Sequence, residues 1–176
     1  MNKKGFTLVE LLSVLVILGL IVGITIPVGI NVMNHSKDNS ERAFVSTIKD
    51  AMNIYLSGNE KSGLGYETCG TGSVYEYATI TFRDVISSSF KPINTASLVN
   101  PKNDKNCGDK IDEAEVKIIR HKTNYVYYYV IDKSSFGYKD KETDVFYKCL
   151  TLEMGTAITN FDATTLSTLK ENNECF

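Results

Sequence analysis

One carboxylate stands where an apolar side chain is expected. Glu10 interrupts the run Phe6-Thr7-Leu8-Val9-Glu10-Leu11-Leu12, which continues otherwise uncharged to Val32. A charge at a bilayer centre costs roughly 2.5–3.5 kcal/mol, and less toward the interface. A carboxylate in such surroundings is stable only when it is paired and hydrogen-bonded, so the chemistry open to Glu10 is capture of a cation. Four cysteines supply the other reactive groups: Cys69, Cys107, Cys149 and Cys175 all follow the apolar block, in the part that would be exported. An even number there reads as two disulfides. Three pairings are possible. Cys69–Cys107 and Cys149–Cys175 each close a local loop and would add on the order of 3–4 kcal/mol apiece. Zinc is disfavoured, because no Cys-x-x-Cys occurs and His35 and His121 are isolated. The acidic residues Asp104, Asp109, Asp112, Glu113 and Glu115 lack EF-hand spacing and alternate with Lys102, Lys105 and Lys110, which reads as a solvated loop rather than a calcium site. Local spacing offers no Ser/His/Asp or Cys/His constellation, so neither catalysis nor a cofactor is expected.

The elements that position these groups fall into three stretches: 1–5, a basic leader; 6–33, apolar; and 34–176, polar. A cleavable secretory signal would have a shorter apolar core followed by a small-x-small site. Here the run is longer and no Ala-x-Ala follows it. A plain signal anchor fits the length of a span but leaves Glu10 unexplained. The periodicity predicts a helix that is apolar on all sides to Val32. Pro27 is the expected site of a kink, and Gly19-x-x-x-Gly23 is a weak close-packing signal. From Glu41 to Leu56 the helix turns one-sided, with Phe44, Val45, Ile48, Ala51, Met52, Tyr55 and Leu56 opposite Arg42, Ser46, Lys49, Asp50 and Asn53. Its second half must pack on something, most simply a sheet, and its first half would then project.

Beyond it, the glycine-rich stretch 58–72 reads as a loop and 81–90 as a short helix on Phe82, Val85, Ile86 and Phe90. Lys91 to Asp104 reads as loop, with a turn at Asn100-Pro101. Three strands follow at Glu115–Lys122, Tyr125–Ile131 and Val145–Leu150, an antiparallel meander with turn residues over 132–144. Tyr125, Tyr127, Tyr129 and Ile131 share a strand face and read as core rather than as a stacking surface for bases. The stretch from Thr151 onward is loop, with a short helix over 166–171. Net charge is −2, and without Lys3 and Lys4 the basic count falls from 19 to 17 against 21 acids, leaving −4. Such a body has no net positive field to gather phosphates, so nucleic acid is not an expected partner.

Lys3-Lys4-Gly5-Phe6-Thr7-Leu8-Val9-Glu10, with the apolar run behind it, closely resembles the class III signal of type IV pilins and type II secretion pseudopilins. The resemblance covers roughly the first 55 residues. It implies cleavage between Gly5 and Phe6 by a membrane-bound prepilin peptidase, methylation of the Phe6 amine, and pairing of that amine with Glu10 of its own or a neighbouring subunit. It also implies an α+β pilin fold, with a long amino-terminal helix on a small antiparallel sheet of three to four strands. The expected role is a structural subunit of a type IV pilus serving adhesion, motility or aggregation. Its partners would be other pilin subunits, the peptidase and the assembly machinery. It would be held in the cytoplasmic membrane before assembly and lie outside the cell afterwards. A pseudopilin, a competence pilin and a membrane-anchored binding protein are the alternatives.

Overall fold

The computed structural model describes residues 6–99, 106–108, 111, 114–132, 134–150 and 157–171, with side chains except at 24, 27, 28, 60, 97, 163, 168, 170 and 171. Leader 1–5, the Asn100-Pro101 turn, Cys175, and Asp104, Asp109, Asp112 and Glu113 of the acidic cluster lie outside the described residues. The chain forms two units, Met1–Asn39 and Ser40–Phe176. The boundary falls inside the first helix, α1 (Leu8–Ser57).

In the first unit α1 is helical through position 27 without a break. Leu8 to Val22 are exposed all round. The hydroxyls of this stretch are satisfied within the helix: Ser13 Oγ donates to the Val9 carbonyl at 2.8 Å and Thr25 Oγ1 to that of Ile21 at 2.9 Å. Gly19, Gly23 and Gly29 have open space where a Cβ would stand. Among the described residues no helix is long and apolar enough to cross a membrane.

In the second unit the periodic residues of α1 do what their spacing dictates. Phe44, Ile48, Ala51, Met52, Tyr55 and Leu56 are buried, while Arg42, Ser46, Lys49, Asp50 and Asn53 are exposed. They pack on a five-stranded antiparallel sheet in the order β1-β2-β3-β4-β7. Its strands are β1 (Glu67–Thr68), β2 (Tyr75–Thr81), β3 (Glu115–His121), β4 (Tyr127–Asp132) and β7 (Ala157–Thr159). Pairings Ala78↔Ile118↔Tyr129 and Ile80↔Val116↔Ile131↔Ile158 line the face toward α1. The other face carries Tyr75, Tyr77, Ile119, Tyr128 and Val130, against which Leu169 of α3 (Ala163–Glu171) is buried. Helix α2 (Phe82–Ile86) follows β2 directly, begun by a reciprocal cap in which Thr81 and Asp84 each accept the other's backbone N–H.

The α+β architecture is the expected one, and several local expectations change. The sheet gains β2, β1 and β7. The meander over 115–150 is replaced: β6 (Phe146–Lys148) leaves the sheet and pairs with β5 (Gly137–Lys139), inside the stretch read as turn, to make a separate ribbon. Tyr138 and Tyr147 stack across that ribbon at 5.2 Å, a cross-strand gain unavailable to a strand laid beside β4, whose edge β7 takes. Tyr125 is not in β4 but in the turn before it, at φ 52°. The short helix ends at Ile86, and Phe90 instead covers Gly58, where an added Cβ would meet its ring.

The expected disulfides 69–107 and 149–175 are overturned. Cys107 bonds Cys149, with 5.9 Å between Cα atoms across 42 residues of sequence, and both are fully buried in the main core. The β5–β6 ribbon brings position 149 back under the loop at 107, and the Cys149 N–H donates to the Phe136 carbonyl at 3.1 Å. Sheet topology, not loop length, decides the pairing. Cys69 is also disulfide-bonded, with its partner outside the described residues. It lies in the second core cluster beside Tyr75, Ile119 and Leu169.

Candidate functional site

The amino-terminal end of α1 builds a small polar site from two residues. Glu10 Oε2 accepts the Thr7 backbone N–H at 2.8 Å and the Thr7 hydroxyl hydrogen at 2.9 Å, while Thr7 Oγ1 accepts the Glu10 N–H at 3.3 Å. With the helix starting at Leu8, this is a capping box: Thr7 at the cap and Glu10 three residues on satisfy two backbone donors that a helix start leaves unpaired. The positive end of the helix dipole adds to the attraction. The carboxylate therefore finds partners inside its own chain. Both bonds from Thr7 land on one oxygen, and among the described residues no donor reaches Oε1. One oxygen holds the helix start and the other is open to a cation.

Phe6 precedes the cap, with 84 % of its surface exposed. Of the residues assigned from sequence, the structure thus brings Phe6 and Glu10 to one helix end. Gly5 lies outside the described residues, and at Pro27 only the backbone is described. Thr7 joins the site through the structure, and Thr-x-x-Glu ahead of an apolar run is the capping-box signature that marks it.

Two further polar groupings sit in the second unit. Arg120 donates to Glu76 from Nε at 2.8 Å and Nη2 at 2.7 Å, and its guanidinium lies 3.6 Å from the Tyr66 ring centroid. Lys61 stands 5.1 Å over the Tyr127 ring, and its carbonyl accepts the Tyr66 hydroxyl at 2.9 Å. Burial, then the neighbouring Tyr127, pushes the Tyr66 phenol well up. These contacts fasten the loop after α1 to the sheet. A cleft of about 930 Å³ opens between α2 and the β5–β6 turn. Its charges are of both signs and partly spent on one another: Arg83 donates to the Ile111 carbonyl at 2.8 Å and Lys139 pairs with Asp144 at 2.6 Å. Among the described residues no group of three or more His, Cys, Asp or Glu could hold a metal ion.

Residues 1–26 match the family described as the prokaryotic N-terminal methylation motif. No curated protein and no solved structure matches the chain. The matched segment contains the leader, Phe6, the Thr7–Glu10 box and the start of the apolar run. The chain carries the class III signal of the type IV pilin and pseudopilin family, on a fold of long first helix and antiparallel sheet that suits a pilin.

Proposed function

We propose that this chain is a prepilin, a structural rather than catalytic subunit of a type IV pilus. A prepilin peptidase cuts between Gly5 and Phe6 and methylates the new amine of Phe6. The apolar part of α1 first holds the subunit in the cytoplasmic membrane, with the sheet unit outside. It then leaves lipid for the core of a filament made with other pilin subunits by the assembly machinery. The filament serves adhesion, motility or aggregation at the cell surface.

The arrangement of Glu10 carries this reading. In lipid, the Thr7 bonds to Oε2 offset part of the cost of a buried carboxylate. Cleavage creates a cation, the Phe6 ammonium, one helical turn away, and Oε1 is open to that ammonium or to a neighbour's. Exchange of a carboxylate held only by Thr7 for one that also pairs with a neighbour's ammonium favours assembly and sets the register of the incoming subunit. The test is to shear cells and probe the released filaments for this chain, in a strain with the prepilin peptidase and in one without. Its presence in the sheared fraction only with the peptidase is the expected result. A processed chain absent from sheared filaments would refute the pilus role and favour a pseudopilin.

A further inference from the structure

At the end of the sheet distant in sequence from Glu10, one imidazole helps to hold a turn. His121 closes β3, and its Nδ1 accepts the backbone N–H of Thr123 at 3.2 Å and that of Asn124 at 3.4 Å. The same turn is closed by Tyr125 N–H to the His121 carbonyl at 3.0 Å, His121 N–H to the Val126 carbonyl at 3.1 Å, and Val126 N–H to Asn124 Oδ1 at 3.2 Å. Its product is an unusual residue. Tyr125 is bulky, sits at φ 52° and is 60 % exposed. A non-glycine residue there costs about 1–2 kcal/mol, so the turn must hold it in place. Beside it Val126 and Val74 are also exposed, with Val74 joined to the turn by Lys122 N–H to its carbonyl at 2.9 Å.

We propose that His121 is an acid-sensitive latch: unprotonated, it holds the 122–126 turn and presents Tyr125 with Val126 and Val74, and protonated at Nδ1 it releases them. Nδ1 can accept two N–H groups only through its lone pair. A proton there sets a third N–H against the other two, so the ring must rotate away or the turn must open. Histidine is the side chain whose charge changes across physiological pH.

The surroundings leave the latch to act alone. From β2, Tyr75 meets the ring edge-on at 5.1 Å between centroids. Lys122 points its ammonium at the Ser73 carbonyl, 2.8 Å away, and toward Thr68 Oγ1 at 3.5 Å. On the same sheet face, Glu67 of β1 accepts the Tyr77 hydroxyl at 3.0 Å, Lys117 lies over the Tyr77 ring, and Asp162 ahead of α3 accepts the Thr165 N–H. Glu76 and Arg120 pair with each other on the opposite face. Among the described residues no carboxylate pairs with His121 to hold it charged in place.

The test uses the full chain, isotopically labelled in detergent micelles, with amide exchange protection and shifts followed from about pH 8 to about pH 5. Protection of Thr123 and Asn124 should fall roughly fivefold or more at the acid end, the scale of losing two weak hydrogen bonds. The His121 ring-nitrogen shifts should follow the same transition, while Ile118 and Tyr129 in the sheet stay unchanged. His121→Gln, whose side-chain carbonyl can accept without titrating, should hold the turn at both extremes. Unchanged Thr123 and Asn124 through the imidazole transition, or the same acid response in His121→Gln, would overturn the latch.

Discussion

Replacing Glu10 with two different residues separates its two roles. Glu10→Gln keeps a side-chain oxygen for the Thr7 N–H, since Gln serves the third position of a capping box as Glu does, but it removes the charge. Glu10→Ala removes both. The cap is worth about 0.5–2 kcal/mol. Removing one partner of a buried ion pair costs about 3–5 kcal/mol, because the other charge is left unpaired. At about 1.4 kcal/mol per factor of ten, that is a hundred- to several-thousand-fold in an assembly equilibrium. Both variants should be processed after Gly5 and both should fail to assemble, the glutamine nearly as completely as the alanine. Thr7→Val keeps the carboxylate and loses the hydroxyl, so its filament yield should drop only by the cap's share. The assay is the amount of chain in sheared filaments divided by the amount of processed chain in membranes. Wild-type filament levels from Glu10→Gln would refute the argument that the charge sets register and would leave Glu10 as a helix cap alone.

The second unit yields three further expectations. Replacing Cys107 and Cys149 together by Ala opens a loop of 42 residues and should lower unfolding free energy by about 4 kcal/mol on the chain-entropy scale, whereas Cys69→Ala should leave the 107–149 bond intact on a non-reducing peptide map. Tyr129 is fully buried and, among the described residues, its hydroxyl has no hydrogen-bond partner, so Tyr129→Phe should be more stable by about 1 kcal/mol in denaturant unfolding, since an unsatisfied buried hydroxyl is costly. Burial, then the nearby Asp50 charge, pushes the Tyr129 phenol up to about 12. The fold therefore favours its neutral form, and this contribution holds below about pH 10, then is lost as pH rises toward 12; the Phe variant should lack that part of the alkaline loss. Asp162 accepts the Thr165 N–H at 2.8 Å, which with the Thr165 side chain holds its carboxyl below the usual value of 3.8. That contribution is present above about 3.8 and disappears as pH falls through the lower folded value, so exchange protection of Thr165 should drop in acid in the wild type and stay level in Asp162→Asn.

Periodic residues were the legible part of this chain. The buried stripe of α1 and the alternation of Val116 and Ile118 followed from spacing, because each feature repeats within one element. Strand β2 holds five aromatic or β-branched residues, the same number as β4, yet it closely follows the glycine-rich stretch, which hides where the strand begins. Strands of three residues such as β5 and β7 carry less, since a partner strand rather than their own composition makes them strands. The cysteine pairing was illegible for the same reason: it depends on where the ribbon returns. At the amino terminus the motif speaks for processing and for Glu10, while Thr7 is legible only through the general Thr-x-x-Glu capping signature, and the structure adds that its hydroxyl and N–H share one carboxylate oxygen.

Cleavage between Gly5 and Phe6 can be read by intact-mass and fragment mass spectrometry of the mature chain. The expected product lacks Met1 to Gly5 and begins at Phe6 with a single methyl group on its amine. A chain still beginning at Met1, or one cut between Thr25 and Gly29, would contradict it.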